Sequence, residues 1–285
     1  MSWKNVKNFL IVLLVAVNIV LSIYAYRYYF ASTFTDADTA QIASEVLKSS
    51  GINIGADTLA VKKDSAETLY CSYDREHYLA LVCSLFFGKE ADGIYLVPSG
   101  IKAETLEGDS ITLGYDMQIN YTNAALKDEI TAALSKADPI EAEESKAVRQ
   151  TLETLIALPE NSLSDAECTA YGDYVFITAN QFENSLPLYG MTCIFGIRNG
   201  KLVHADGKHF FGVPEGKESS QILDKVNIMF SEKLRGETGT VKDIRLCYTL
   251  YEDSLSDRML FIPSYEILYE DGRTNAINAL TKEKY

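Results

Sequence analysis

Histidine is scarce in this sequence, and the motifs of common catalytic sites are missing. The three histidines are His77, His204 and His209, and the turn-like Asp206-Gly207 separates the last two, so they lack the spacing of a helical zinc-binding pair. No Gly-x-Ser-x-Gly elbow, phosphate-binding loop or dinucleotide fingerprint occurs. We therefore expect surface or strand-edge histidines and no metal, cofactor or catalytic residue, in a chain that is not an enzyme.

Cysteine pairs of the Cys-x-x-Cys type are missing as well. An odd number of cysteines cannot pair completely within one chain. The five are scattered, at Cys71, Cys83, Cys168, Cys193 and Cys247. If residues 67–73 and 78–87 form a hairpin turning near Glu76, Cys71 and Cys83 lie opposite one another, and a disulfide is possible in an oxidising compartment. The simpler interpretation is buried free thiols, which behave as small apolar side chains.

Acidic residues are plentiful, but they form no clear catalytic pair. The clusters are Glu141, Glu143 and Glu144 and the dipeptide Glu252-Asp253. Carboxylates that are close in sequence on a helix usually face water rather than a shared substrate. We therefore interpret these clusters as solvated.

A long apolar run is present at the N-terminus. Residues 9–23 read FLIVLLVAVNIVLSI without a charge, and with the helix continued over residues 6–26 the span approaches the roughly 20 residues that cross a hydrocarbon core. Only Asn18 and Ser22 are polar within the run, and both are candidates for contact with a partner helix. Residues 1–30 are therefore predicted to be a short cytoplasmic tail and a transmembrane anchor.

The charges on either side of the run predict its orientation. Lys4 and Lys7 precede it, whereas Asp36 and Asp38 follow it, so the positive-inside rule places the N-terminus in the cytoplasm. The chain is then a single-pass protein of the cell membrane whose C-terminal domain is extracellular. A cleaved signal peptide, cut after Ala25, is the alternative, although the apolar core is long for a signal.

Basic residues are outnumbered, which limits the partners of the external part. The chain has 26 Lys and Arg and 40 Asp and Glu, and residues 1–30 contain three basic residues and no acid. The external part therefore has 23 basic and 40 acidic residues, a net charge of −17. Such a surface repels nucleic acid and anionic lipid, so we expect no nucleic-acid partner. A hydrophobic content of 47% is enough for a packed core.

Helix formers and apolar periodicity predict an α+β fold. Helices are predicted over DTAQIASEVLKSSG, with Ile42, Val46 and Leu47 as the apolar face, over ALKDEITAALSKA and EAEESKAVRQTLETLIAL, and over residues 218–234. Strands are predicted over residues 67–73, 78–87, 93–97 and 110–121 and over TAYGDYVFITANQF, YGMTCIFGIRNGKLVHADG, VKDIRLCYTLYED, RMLFIPSYEILYEDG and RTNAINAL. Tight turns are predicted at Asn199-Gly200 and Asp271-Gly272.

These elements predict an ectodomain of antiparallel sheets with packed helices. A helix followed by antiparallel strands occurs near both ends of the ectodomain, which suggests a duplicated α+β unit. Pro139 is the best candidate for the boundary, which gives a first unit over residues 31–138 and a second over residues 139–285. Tyrosines on the predicted strands fit half-buried pleated surfaces, as at Tyr248, Tyr251, Tyr265 and Tyr269.

Three segments resemble one family. The opening SWKNVKNFLIVLLVAVNIVLSIYAY, a Trp-Lys start before an apolar helix with one central Asn, is similar to the N-terminus of the YycI regulatory proteins. The segments NQFENSLPLYGMTCIFGIRNGKLVHADGKHFFG and LFIPSYEILYEDGRTNAINALTKEKY resemble that family's closing pattern, in which a Pro-aromatic strand turns at Asp-Gly and is followed by an Asn-Ala strand. These proteins are accessory partners of the WalK-type sensor histidine kinase in Gram-positive bacteria.

The resemblance implies a regulator without enzymatic activity. Its ectodomain would be related to the sister protein YycH, and it would act on the kinase through membrane-spanning and external contacts. The expected partners are therefore a sensor histidine kinase, a YycH-like protein and the lipid bilayer. The alternative is an extracytoplasmic binding or inhibitory module for cell-wall polymer or a protease.

Overall fold

The structure, a computed structural model, describes residues 36–60, 65–156, 163, 165–212, 214–253, 256 and 258–285. The predicted cytoplasmic tail and transmembrane anchor, residues 1–30, lie outside these residues. Among the helices of the described part of the chain, none is long and apolar enough to cross a membrane. The described residues form a mixed α+β fold with a large, mainly antiparallel sheet, as the sequence predicts.

Six α-helices and fifteen strands occur in the described residues. The helices are α1 (Asp36–Lys48), α2 (Ala56–Leu59), α3 (Arg75–Phe87), α4 (Lys127–Leu134), α5 (Ala142–Leu155) and α6 (Lys225–Leu234). The strands are β1 (Ile52–Asn53), β2 (Ser65–Ser72), β3 (Gly93–Val97), β4 (Gly100–Glu104), β5 (Ser110–Gly114), β6 (Gln118–Thr122), β7 (Asp138–Pro139), β8 (Glu167–Tyr171), β9 (Tyr174–Glu183), β10 (Leu186–Arg198), β11 (Lys201–Lys208), β12 (Gly216–Gln221), β13 (Gly239–Asp253), β14 (Arg258–Tyr269) and β15 (Thr274–Asn278).

The chain divides into two compact units. Unit 1 comprises the described residues within 1–63, 223–244 and 268–273, and unit 2 comprises those within 64–222, 245–267 and 274–285. Pro139 lies inside unit 2, where β7 pairs with β8. The borders between the two compact units therefore lie at positions other than the boundary predicted at Pro139.

Unit 1 contains α1, α2 and α6, and its first helix confirms the prediction over DTAQIASEVLKSSG. The buried face of α1 is nevertheless formed by Ala40, Ala43 and Leu47, whereas Ile42 and Val46 are exposed. The predicted face is therefore wrong for two of its three residues. The helix packs against α2 and α6 through small alanines, which allow close approach, so apolar size alone does not identify the buried side.

The predicted helix over residues 218–234 is too long at its start. The structure begins α6 at Lys225, after Asp224, whose side chain accepts a hydrogen bond from the amide of Asn227 at 2.7 Å. Residues 216–221 are instead strand β12 of unit 2. An N-capping aspartate next to the true start was the signal that the prediction overlooked.

Unit 2 is built on a sheet whose neighbouring strands follow the order β12-β2-β14-β13-β10-β11-β6-β5-β4-β3. Strands β7, β8 and β9 join this sheet beside β10. The main core contains residues of α3 and α5 together with the sheet, and a smaller cluster holds Ile130 and Ala133 of α4 against Tyr174 and Phe176. Strands β12 and β3 form the two ends of this order, and they have only one partner strand each within the described residues.

The predicted strand over residues 78–87 is wrong, because this segment forms helix α3. Its buried residues are Tyr78, Leu79, Val82, Cys83 and Phe86, which follow a helical spacing. Apolar residues cover most of the helix surface, so the sequence shows neither a clear helical period nor a clear strand alternation. An apolar run of this length is compatible with a buried helix and with a buried strand.

The predicted strand over residues 110–121 is two strands, β5 and β6, joined at Tyr115–Met117. Met117 has a φ of +64°, and a β-carbon at Gly114 would lie 2.8 Å from a carboxylate oxygen of Asp116, so this turn is tight. The turns predicted at Asn199-Gly200 and Asp271-Gly272 are confirmed, as are the strands at 67–73 and 93–97 and the last three strands.

Candidate functional site

The most distinctive surface of unit 2 is a groove between α3 and the hairpin of β3 and β4. We call it the edge groove, and its volume is about 410 Å³. Its walls are mainly apolar and are formed by Leu79, Ala80, Cys83, Ile94, Leu96 and Ile101. A cavity of this size with mostly apolar walls is typical of binding sites.

Helix α3 forms one wall because its two ends are fixed by local sequence. Asp74 caps the N-terminus: its carboxylate accepts hydrogen bonds from the amides of Glu76 at 2.8 Å and His77 at 3.3 Å. Gly88 ends the helix in the left-handed conformation, with φ +68°. Cys83 faces the groove from this helix, and burial raises the pKa of its thiol to about 11. This thiol is therefore an apolar part of the wall.

The other wall is strand β3, whose exposure is unusual. The exposed fractions are 59% for Ile94, 54% for Tyr95 and 82% for Leu96. Ile94 and Leu96 line the groove, so by the alternation of a strand Tyr95 points to the opposite face of the sheet. Its ring folds over Gly93, where a β-carbon would lie 2.6 Å from the Tyr95 hydroxyl oxygen.

The outer side of β3 has no strand partner within the described residues. Its inner side pairs with β4 in an antiparallel register that places Tyr95 opposite Lys102. In an antiparallel ladder, every second residue directs its N–H and C=O away from its partner. The outer edge therefore offers backbone donors and acceptors beside the apolar groove.

Arg75, Glu76 and Glu90 also line the edge groove, and two basic side chains at or near it are in ion pairs. Arg75, at one end, donates two hydrogen bonds to the Glu252 carboxylate, at 2.7 and 2.9 Å, and these raise the pKa of the guanidinium. Lys89, at the start of the hairpin, is 3.4 Å from Asp92 and 2.7 Å from Glu107. Strand β3 itself carries no charge, so the wall it forms is neutral.

A second cleft of about 450 Å³ lies on unit 2 between the start of α3 and the segment after β11. Tyr73, Tyr78 and Phe210 line it, and the rings of Tyr78 and Phe210 stack with centroids 5.4 Å apart. Gln181 fixes Phe210 through hydrogen bonds to both its amide and its carbonyl, at 2.9 and 2.7 Å. We call this the aromatic cleft.

His209 contradicts the prediction of surface or strand-edge histidines. Only 1% of it is exposed, and within the described residues neither ring nitrogen has a hydrogen-bond partner. The ring packs against Phe195 and Phe211, with centroids 5.4 and 4.7 Å away. Burial without a partner lowers the pKa of this imidazole to about 3, so the side chain is neutral.

The other histidines lie far less deeply. His77 is exposed at the start of α3 and lines the aromatic cleft. His204 is half-buried on β11, its Nδ1 3.0 Å from the hydroxyl oxygen of Thr122, and burial lowers its pKa. The structure does not bring the three histidines together with other donors, and the described residues contain no group of three or more His, Cys, Asp and Glu that could hold a metal.

The predicted acidic clusters lie in two different settings. Glu141, Glu143 and Glu144 are exposed at the start of α5, which confirms the solvated face. Glu252 pairs with Arg75, whereas Asp253 accepts a hydrogen bond from Ser256 at 2.5 Å.

Tyrosines on the last strands are more deeply buried than the predicted half-buried surfaces. Tyr248, Tyr265 and Tyr269 are buried, and Tyr251 is half exposed. The aromatic rings therefore contribute to packing rather than to an open platform. Asn18 and Ser22, the predicted partner-binding residues of the membrane helix, lie outside the described residues.

All five cysteines are free and buried, in agreement with the simpler interpretation. The proposed hairpin between Cys71 and Cys83 is wrong, because Cys71 lies on β2 and Cys83 on α3. The edge groove was missed for the same reason: with residues 78–87 taken as a strand, β3 had no helix beside it. The signal that could have revealed it is an N-cap, Asp74, and a C-terminal glycine, Gly88. These two residues enclose the thirteen residues of the helix.

Comparisons with known proteins do not show a family for this chain. No protein-family model and no curated protein match the chain. Among solved structures, it is similar to an uncharacterized protein from Eubacterium rectale, with 12% sequence identity and a TM-score of 0.46 over 78% of this chain and 85% of that chain. This likeness is too weak to indicate a function.

Proposed function

We propose that this chain is a membrane-anchored extracytoplasmic regulator of a two-component sensor histidine kinase and that it acts by protein–protein contact. The resemblance to the YycI proteins supplies the kinase and a YycH-like sister protein as partners. The edge groove is the observation that carries the contact part of the proposal. The proposal also includes a transmembrane helix in residues 1–30, a cytoplasmic N-terminus and an ectodomain that arose from a duplicated α+β unit.

The edge groove supports protein contact through two kinds of interaction. Exposed apolar side chains that form a patch mark interaction sites, whereas single ones are ordinary. Ile94 and Leu96 are exposed on the groove face of β3, whose outer hydrogen-bonding groups have no strand partner in the described residues. A protein partner can bury the side chains and pair with the backbone at the same time.

The predicted membrane helix supplies a second contact in this proposal. The cytoplasmic tail of about eight residues is too short to fold, so a signal must pass through the helix or the ectodomain. The Asn18 amide can hydrogen-bond across a helix pair, worth about 1 kcal/mol in model systems, and Ser22 lies one turn further along the helix. Such a contact selects a partner and a register, and the ectodomain supplies the remaining affinity.

Co-purification of the full-length chain with the histidine kinase from detergent tests this function. We expect the wild type to capture the kinase and Asn18→Leu to weaken recovery by up to about tenfold, with normal expression and insertion. Val17→Leu, on the same helix, is the matched control and should have no effect. Failure of the wild-type chain to recover the kinase would refute the proposed function.

Topology is tested separately. A reporter fused after Tyr285 should be active outside the cytoplasm, and the chain should remain in the membrane after a carbonate wash. Release of a soluble fragment that begins near Tyr26 would instead favour a cleaved signal peptide.

The aromatic cleft favours the second candidate, an extracytoplasmic binding or inhibitory module for cell-wall polymer or a protease. Its rings and its volume of about 450 Å³ suit a bulky ligand with apolar faces. Binding of the full-length chain to purified peptidoglycan, lost in Tyr73→Ala and retained in Tyr171→Ala, would support this candidate if the kinase is not captured. Tyr171 is an exposed tyrosine outside the cleft.

A further inference from the structure

Strand β3 is self-complementary in the antiparallel direction. Its five residues, Gly-Ile-Tyr-Leu-Val, carry no charge and are centred on Tyr95. When a second β3 runs antiparallel about that centre, Ile94 lies opposite Leu96 of the other copy, and Tyr95 lies opposite Tyr95. Antiparallel strands related by a two-fold axis form an isologous interface of this kind.

We propose that the outer edge of β3 binds a second copy of this chain, so that two unit 2 sheets join into one sheet across a β3–β3 antiparallel ladder. It rests on the proposed function, in which the edge groove makes a protein contact, and it names a second copy of the regulator as the protein contacted there.

Side-chain chemistry favours this occupant on the groove face of the sheet. Ile94 and Leu96 both lie on that face, and pairing places Ile94 of one copy opposite Leu96 of the other. The apolar walls of the two edge grooves then become continuous. Burial of these four exposed side chains is the main driving force, because it removes apolar surface from water.

Charge complementarity also favours a second copy. In the centred register, Asp92 lies opposite Pro98 of the other copy, so no two like charges face each other. Lys89 and Asp92 are already paired within one copy, and Lys102 is paired with Glu104 on β4. The strand that approaches the edge therefore meets a ladder without charge, and Glu90 is the acidic residue that flanks β3 in the edge groove.

The opposite face is also compatible with the ladder. The Tyr95 ring reaches back over Gly93 of its own strand. A neighbouring strand can therefore approach within the usual 4.7–4.9 Å spacing without displacing the ring. Two tyrosines meet at the two-fold axis, where aromatic cross-strand pairs are favourable.

Site-specific crosslinking of the full-length chain in native membranes tests the ladder. Directly opposite residues have α-carbons about 4.5–5.5 Å apart, within disulfide range, so Tyr95→Cys should form a covalent dimer on mild oxidation. Lys102→Cys is the matched control, because it lies on the same face one strand further in. Its two copies would be roughly 14 Å apart, three strand spacings, and should not crosslink. The wild type, whose cysteines are all buried, should give no dimer.

Equal crosslinking at positions 95 and 102 would indicate random collision and overturn the proposal. No crosslink at position 95 would also overturn it, including the case in which another segment or partner shields the thiol introduced by Tyr95→Cys from a thiol-reactive maleimide. A crosslink at position 95 that depends on the kinase would assign the edge to the complex rather than to free copies, and would also overturn it.

A charge substitution supplies an independent measurement. Leu96→Lys places a lysine at the ladder in each copy and should raise the dimer dissociation constant of the detergent-purified chain by about tenfold or more. Leu106→Lys is the control. Leu106 is 88% exposed and Leu96 is 82% exposed, but Leu106 lies in the β4–β5 turn, away from the ladder. Equal dissociation constants for the two variants would overturn the proposal. Kinase capture by the wild type without a crosslink at position 95 would overturn only the ladder, and a crosslink at position 95 without kinase capture would refute only the proposed function, so the two ideas fail separately.

Discussion

The two ends of the unit 2 strand order, β12 and β3, expose their edges with opposite chemistry. Strand β12 reads GKESSQ, and Lys217 is 2.8 Å from Glu67 on the neighbouring strand. Strand β3 reads GIYLV and exposes Ile94, Tyr95 and Leu96. Charged side chains on an edge discourage pairing with other chains, whereas a neutral apolar edge permits it.

This difference distinguishes a protected edge from a usable one. Both strands are short, and each has a single partner within the described residues, so the unpaired backbone alone does not separate them. The side chains do. Only β3 adjoins an apolar groove, to which α3 contributes one wall. The charged side chains of β12 therefore protect its edge, whereas the apolar side chains of β3 leave its edge able to pair.

The largest expected effect comes from breaking the hairpin that holds β3. Gly100 has φ +155°, and a β-carbon there would lie 1.9 Å from the Leu113 carbonyl oxygen. Gly100→Ala should therefore lower the free energy of unfolding by about 3 kcal/mol or more. Denaturant unfolding followed by circular dichroism measures this. Gly172→Ala, at φ +62° with open space around it, is the control and should cost about 1 kcal/mol. Equal losses would show that the hairpin tolerates the β-carbon.

The pH dependence of stability tests the burial of His209, which packs against the sheet between the two edge strands. Its pKa is about 3 in the folded protein against 6.5 ordinarily, so the folded state binds fewer protons in this window and the free energy of unfolding falls as the pH falls. Relative to pH 7, the loss that His209 causes at pH 5 should be about 2 kcal/mol. His209→Phe should remove that part of the pH dependence, and His77→Phe, at an exposed position, should not. Parallel stability profiles for wild type and His209→Phe would contradict the buried neutral ring.

Loss of the α3 cap tests the wall of the edge groove. Asp74→Ala removes two hydrogen bonds to helix amides and should cost about 1 kcal/mol of unfolding free energy, with weaker hydrogen-exchange protection at the start of α3. Asp128→Ala is the control, since Asp128 lies in the first turn of α4 without capping it, and should cost a few tenths of a kcal/mol. A cost for Asp74→Ala as small as that of the control would mean that packing alone fixes α3.

The smallest effect on stability, and the sharpest test of the comparison, comes from making β12 resemble β3. Lys217→Ile with Glu218→Leu should change the free energy of unfolding by less than about 0.5 kcal/mol, because the ion pair it removes is exposed. Sedimentation velocity should show larger assemblies, since two adhesive edges permit head-to-tail growth. Glu144→Leu with Lys146→Ile, on exposed α5, is the control. Unchanged association would mean that side-chain charge does not protect this edge.

Much of the fold was predictable from local signals. Turn chemistry located Asn199-Gly200 and Asp271-Gly272, because a tight hairpin turn needs positive φ, which Asn199, Gly200 and Gly272 adopt. Helix formers located α4 and α5, and long alternating segments located the last three strands. These features depend on neighbours in sequence, so they survive in any tertiary context.

The errors concern features that depend on distant residues. Helix α3 was taken as a strand because its apolar residues cover most of its surface, and only packing shows that both Val82 and Cys83 are buried. The buried face of α1 depends on which helices approach it. His209 looked ordinary in sequence, but residues from separate strands enclose it. The edge groove likewise requires α3 and β3 to be neighbours in space.

The sequence by itself determined the α+β class, the acidic charge, the scattered cysteines and the absence of familiar catalytic spacing, because each follows from residue type and local order. It also produced the predictions of a membrane anchor and of a kinase partner. Only the tertiary structure decided which strands lie at the ends of the strand order of unit 2, which side chains line a groove and which histidine is buried away from solvent. Those properties arise from strand order and burial, and residues far apart in the sequence create both.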